Sequence, residues 1–261
     1  MVKTIEAASN KASADSENFS IKLGELETLL TGMHSQSMIL TQLRRSDQIQ
    51  RDARAAAEDT KLLFAIAEKH KNDRIKSYLA AQISLISMSA KAWNDAVEYA
   101  KLAIECNPKK WDDRMYNFAC IYAAKFDDLH QASDKAQAIS FLDQYFSELD
   151  GQKLVEELGK AMLDEDLLPV KAEMRALAQK FGKAREVACR LALKYKSEQR
   201  DIDKQDAIEL LKQYFERNGE KKVDATEIQA VVDKPEFQPI HADIVNLAKL
   251  YKEIKNDDKT G

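Results

Sequence analysis

The sequence predicts an all-α protein, and three observations carry that reading. The 261 residues include only seven glycines and four prolines, where average usage would supply about 30 of the two together. Hairpin turns and phosphate-binding loops need residues that accept positive φ, yet Gly24 and Gly32 are the only glycines before residue 151, and no proline precedes Pro108. Apolar residues recur at helical steps of three and four in segment after segment. Finally, 44% hydrophobic and 32% charged residues supply both a core and polar outer faces.

Charge excludes some functions. Forty basic residues against 44 acidic ones leave a formal net charge of −4, with the signs interspersed. Nucleic-acid binding is not expected, because the nearest basic cluster, Arg44, Arg45, Arg51 and Arg54, is offset by Asp47 and Asp52. Cys106, Cys120 and Cys189 are odd in number and show no CxxC spacing, so neither a disulfide framework nor a zinc ribbon is indicated and a reducing, cytoplasmic setting fits best. No apolar run approaches the roughly 18 residues of a membrane span, and the N-terminus lacks the apolar stretch of a signal peptide. Direct membrane insertion is therefore not expected.

Residues 1–16 are rich in Ala, Ser and Asp without periodicity and read as a disordered start. Residues 17–70 read as long amphipathic helices. Phe19, Leu23, Leu26, Leu30, Met33 and Leu40 follow the alternating four- and three-residue steps of a coiled-coil seam. The pattern breaks near 42–47 and resumes in another phase at Ile49, Ala53, Ala56, Thr60, Leu63 and Ala67. Two readings stand at this point: the helices self-associate or dock a partner, or they fold back onto the rest of the chain.

Residues 71–182 carry repetition. SYLAAQISLISMSAKAWNDAVEYAKLAIECNPKK, from Ser77 to Lys110, places small residues at Ser84, Ala96 and Ala103, where two helices cross closely, and a helix-stopping proline at Pro108. A second unit follows: Met115, Phe118, Ala119 and Tyr122 occupy large, large, small and aromatic places, and Ala138 is the small crossing residue of AISFLDQYFSEL. About seven residues are inserted in its turn, within FDDLHQASDK. These units resemble tetratricopeptide repeats, pairs of antiparallel helices about 34 residues long. The segment to Phe181, with Pro169 behind Asp164, Glu165 and Asp166, is similar to the terminal helix and Leu-Pro segment that close many such arrays. Residues 183–261 read as further helices, AREVACRLALKYKS, KQDAIELLKQYFERNG and IHADIVNLAKLYKEI, the pair around Ala207 standing as a candidate third, diverged hairpin.

The resemblance implies a concave groove lined by the first helix of each pair. By position that groove takes Tyr78, Ala81, Gln82, Leu85 and Met88 from the first unit, and Tyr116, Asn117, Cys120 and Ala123 from the second. The chaperone-binding subfamily clamps a C-terminal carboxylate with Lys and Asn residues; Asn117 matches one of them, but Ala81 and Leu85 stand where a Lys and another Asn would be, so that clamp is not expected.

No catalytic constellation is legible. His34, His70, His130 and His241 are scattered, and HExxH and GxSxG are missing. ERNGEKKVDATE, residues 216–227, resembles an EF-hand calcium loop, but Lys221 fills the place that needs glycine and two Glu replace the usual Asp, so calcium binding is not expected. The expected function is a non-catalytic adaptor without cofactor or metal, binding another protein or a peptide segment. The alternatives are a subunit of an oligomeric or membrane-associated assembly joined through the Phe19 to Leu40 seam, and a regulatory partner of an enzyme encoded elsewhere.

Overall fold

A computed structural model describes residues 47–69, 71, 73–107, 111–216 and 225–257. Among them are eleven α-helices and two 3₁₀ segments, packed as adjacent antiparallel pairs, and no strand. The helices separate into two compact units dividing after Tyr145.

In the first unit, α1 (Asp47–Lys69) lies along α2 (Asp73–Ser89), which pairs with α3 (Trp93–Cys106). The alanines of α1 explain the close approach: Ala53 and Ala57 pack on Ile86 and Ala90, and Leu63, Phe64 and Ala67 join Ile75, Leu79, Ile83 and Ala103. Phe64 also meets the Tyr99 ring edge-on at 5.6 Å, and Lys61 pairs with Asp95 at 2.7 Å. The second of the two apolar seams in the sequence is thus used within the chain. The first, Phe19 to Leu40, lies outside the described residues, as do residues 1–16 and Pro108.

Polar side chains tie α2 and α3 to α4 (Trp111–Leu129). Buried Ser77 donates its hydroxyl to the Ala103 carbonyl at 2.9 Å, while buried Arg114 donates to the Ser77 hydroxyl and the Asn107 carbonyl. Arg114 thereby caps the carbonyl end of α3, the role that an exposed helix end otherwise leaves to water. α5 (Ala132–Ser147) pairs with α4 through aromatic stacking, the Phe118 and Phe141 rings lying 4.8 Å apart.

The second unit contains α6 (Gly151–Leu163), a 3₁₀ segment (Glu165–Val170), α7 (Lys171–Lys180), α8 (Ala184–Glu198), α9 (Asp201–Phe215), α10 (Ala225–Val232), a second 3₁₀ segment (Pro235–Ile240) and α11 (His241–Asp257). Pro169 sits inside the first 3₁₀ segment, whose start is capped by Asp164 accepting from the Asp166 amide at 2.9 Å. α8 and α9 form the principal pair; α6 packs on α8 and α7 on α9.

The elements from α4 onward are two copies of one module. FACIYAAKFDDLHQASDKAQAISFLDQYF, residues 118–146, aligns without a gap on VACRLALKYKSEQRDIDKQDAIELLKQYF, residues 187–215, a step of 69 that superposes Asp134 on Asp203 and QYF on QYF. Further on, LLPVKAEMRALAQKF, residues 167–181, matches FQPIHADIVNLAKLY, residues 237–251, a step of 70. The match extends to structure. His130 and Gln199 have the same left-handed φ of 55°; Lys135 lies over the Phe126 ring as Lys204 lies over Tyr195; Leu167 and Phe237 are both fully buried in their 3₁₀ segments. The inserted turn of the sequence reading is therefore a regular part of the module, present in both copies. The segment resembling an EF-hand corresponds to the link between α5 and α6 in the first copy; residues 217–224 themselves lie outside the described ones.

Candidate functional site

The nine groove positions expected from the sequence separate into two groups. Tyr78, Ala81, Leu85, Tyr116 and Asn117 are half-buried and keep some surface. Gln82, Met88, Cys120 and Ala123 are at most 4% exposed and present almost none. Met88 belongs to the core between α2, α3 and α4, with Ala96, Ala100, Phe118 and Ile121, and Leu85 packs against the same cluster. Tyr78 lies against the cluster under α1, where burial pushes its hydroxyl pKa above the usual tyrosine range. Tyr116 meets Tyr145 at 5.6 Å.

The second copy shows what can cover such a face. Its equivalents of Cys120 and Ala123 are Cys189 and Ala192, both buried, and α8 packs broadly on the second 3₁₀ segment of the same module. Burial is the main influence on the Cys189 thiol and pushes its pKa up, against the opposing pull of nearby Lys234, so the thiol stays protonated. A module that folds its own Pro-bounded segment onto its first helix leaves little of that helix for a ligand.

A concave site does occur in the first unit, between α3 and α4. A cleft of about 260 Å³ is lined by Trp93, Asn94, Val97, Glu98, Lys101, Tyr122 and Lys125. Its walls are held from behind. The Trp93 indole donates to Asp128 Oδ2 at 2.9 Å, and the Lys91 ammonium pairs with the other carboxylate oxygen. Burial alone would push the Asp128 pKa up, but these two donors outweigh it and hold the carboxyl below the usual aspartate range. Tyr122 stacks on Phe141 at 5.7 Å, and burial raises its hydroxyl pKa. Lys125 sits 5.8 Å above the Tyr122 ring and pairs with Asp134 at 2.9 Å. Lys101 and Glu98, both exposed, form the rim.

This arrangement can grip an apolar or aromatic side chain between rigid rings, with polar groups at the rim to orient it. Among the described residues no three His, Cys, Asp or Glu side chains converge on a metal-sized site, and none of the three cysteines forms a disulfide. The sequence signals for the cleft were Trp93 at the head of α3 and Tyr122 at the aromatic position of α4. Their pairing was not legible because the cleft joins the second helix of one pair to the first helix of the next. No helix among the described residues is long and apolar enough to cross a membrane. No protein-family model matches the chain, nor does any curated protein or any solved structure.

Proposed function

We propose that this protein is a non-catalytic, tetratricopeptide-like adaptor that captures a segment of another protein by inserting one of its apolar side chains between Trp93 and Tyr122. The observation that carries the reading is the cleft itself. Small-molecule and cofactor pockets typically enclose about 300–1,000 Å³; at about 260 Å³ this one suits a side chain better than a cofactor. Its aromatic walls are fixed by stacking and by the Trp93 to Asp128 hydrogen bond, so little ordering entropy is left to pay on binding.

The test is comparative affinity purification from the native source. Asn94→Glu and Lys101→Glu alter the charge of the cleft from exposed positions, and are expected to lower recovery of the captured protein by tenfold or more while circular dichroism stays unchanged. Equal recovery by the variants would remove the cleft from the mechanism. Leu85 is unsuitable for such a test, since it packs on the Met88 to Ile121 cluster and a charge there would disturb the fold.

A further inference from the structure

The two copies treat the same lysine and aspartate differently. In the first, Lys125 on α4 donates to Asp134 in the first turn of α5 at 2.9 Å. Their counterparts are Lys194 on α8 and Asp203 in the first turn of α9. Lys194 turns instead to Glu198, one turn further along its own helix. Asp203, with no exposed side-chain surface, accepts no hydrogen bond at either carboxylate oxygen. Glu198 stands where the first copy has Leu129, which cannot compete for an ammonium group.

The other charges around Asp203 do not replace the missing donor. Arg200, in the turn before α9, brings Nε only to 3.5 Å and also reaches towards Glu198 at 3.9 Å. Lys171 of α7 faces the site but is paired with Asp206 of α9. Asp206 and Glu198 add negative charge. Burial is the largest influence and pushes the Asp203 carboxyl above the usual aspartate range; Arg200 and Lys171 pull the other way without cancelling it.

We propose that Lys194 is a two-position ionic switch at the tip of the α8–α9 pair, shared between Glu198 and Asp203, with the proton on Asp203 deciding between them. With Asp203 protonated, the lysine rests on Glu198. With Asp203 ionised, the lysine is drawn across to the geometry that Lys125 and Asp134 hold in the first copy. The tip of the α4–α5 pair, having Leu129, has a single position and does not switch.

Carboxyl and lysine side-chain NMR titration of the full-length protein tests this. In the unsubstituted protein, Asp203 is expected to titrate above the ordinary aspartate range, with the Lys194 ammonium signal changing through the same transition. Glu198→Leu, the residue of the first copy, is expected to lower the Asp203 midpoint below that range and to fix Lys194 in one state. Glu198→Gln, which removes the charge with little change of shape, is expected to do the same. Lys194→Met is expected to raise the Asp203 midpoint. An Asp203 midpoint unmoved by both Glu198 substitutions, or a Lys194 signal that ignores the Asp203 transition, overturns the proposal; amide spectra report whether each variant is folded.

Discussion

His130 and Gln199 hold the same left-handed backbone conformation, φ 55° in each, at the matching turns of the two copies. Each turns its amide back on its own helix, His130 to the Phe126 carbonyl at 2.7 Å and Gln199 to the Tyr195 carbonyl at 2.8 Å. Neither is glycine, so each turn carries a cost of about 1–2 kcal/mol from Cβ crowding.

Replacing either residue by glycine relieves that crowding, offset in part by about 0.5–1 kcal/mol of extra chain entropy in the unfolded state. His130→Gly and Gln199→Gly are each expected to stabilise the protein by about 0.5 kcal/mol, read as a higher midpoint in thermal denaturation. Alanine at the same positions keeps the crowding and gains nothing.

Asp206 is 4% exposed and receives both Lys171 and Arg175, the latter at 2.7 Å. Asp206→Ala strands two cations near a buried site and is expected to cost about 3 kcal/mol in urea denaturation. The counterparts of the three residues are Gln137, His241 and Val245. The combined variant Asp206→Gln, Lys171→His, Arg175→Val removes the whole cluster and is expected to recover much of the loss, since a buried pair is often matched by uncharged packing.

Asp128 and Asp203 respond to pH with opposite sign. The Asp128 carboxyl is held below its unfolded value by Lys91 and Trp93 despite burial, so its contribution is present above the ordinary aspartate range and is lost as pH falls through the depressed folded value. Asp203 is raised by burial, so its ionised form costs stability at neutral pH, and that cost disappears as pH falls. Asp203→Asn is expected to raise the denaturation midpoint at pH 7 and to have no effect near pH 3. Asp128→Asn is expected to lower it at pH 7, with a change in Trp93 fluorescence in a Trp111→Phe background.

Phe237 is completely buried in the second 3₁₀ segment. Phe237→Ala leaves a cavity with little freedom to collapse and is expected to cost about 3–5 kcal/mol. Hydrogen exchange is expected to show the loss first in α10 and α11, which follow the segment's anchorage on α8.

The helical pairs were legible because close crossings demand small residues, and Ala96, Ala103 and Ala138, all essentially unexposed, mark those crossings in the sequence. The duplication was not legible from the same reading. A period near 34 residues divides the module in two, and the DK, AI and QYF matches appear only at a step of 69, from Asp134 to Asp203. Of the groove positions, Tyr116 and Asn117 keep surface while Cys120 and Ala123 do not. Helical phase alone identifies one face of a helix but does not say whether another segment of chain lies over it. For α8 that segment is Pro235–Ile240, far along the sequence and without a hydrophobic period of its own.

The charge cluster on Asp206 also bears on how the chain emerges during synthesis. Arg175 is made 31 residues ahead of Asp206, so the cations of α7 precede their anion in synthesis. The first copy carries Gln137 where the second carries Asp206, so no carboxylate already made at that position competes for them. Tandem copies of one module are prone to pairing with the wrong neighbour; here Asp206 of the later copy, and not Gln137 at the matching position of the earlier one, neutralises the two cations of α7.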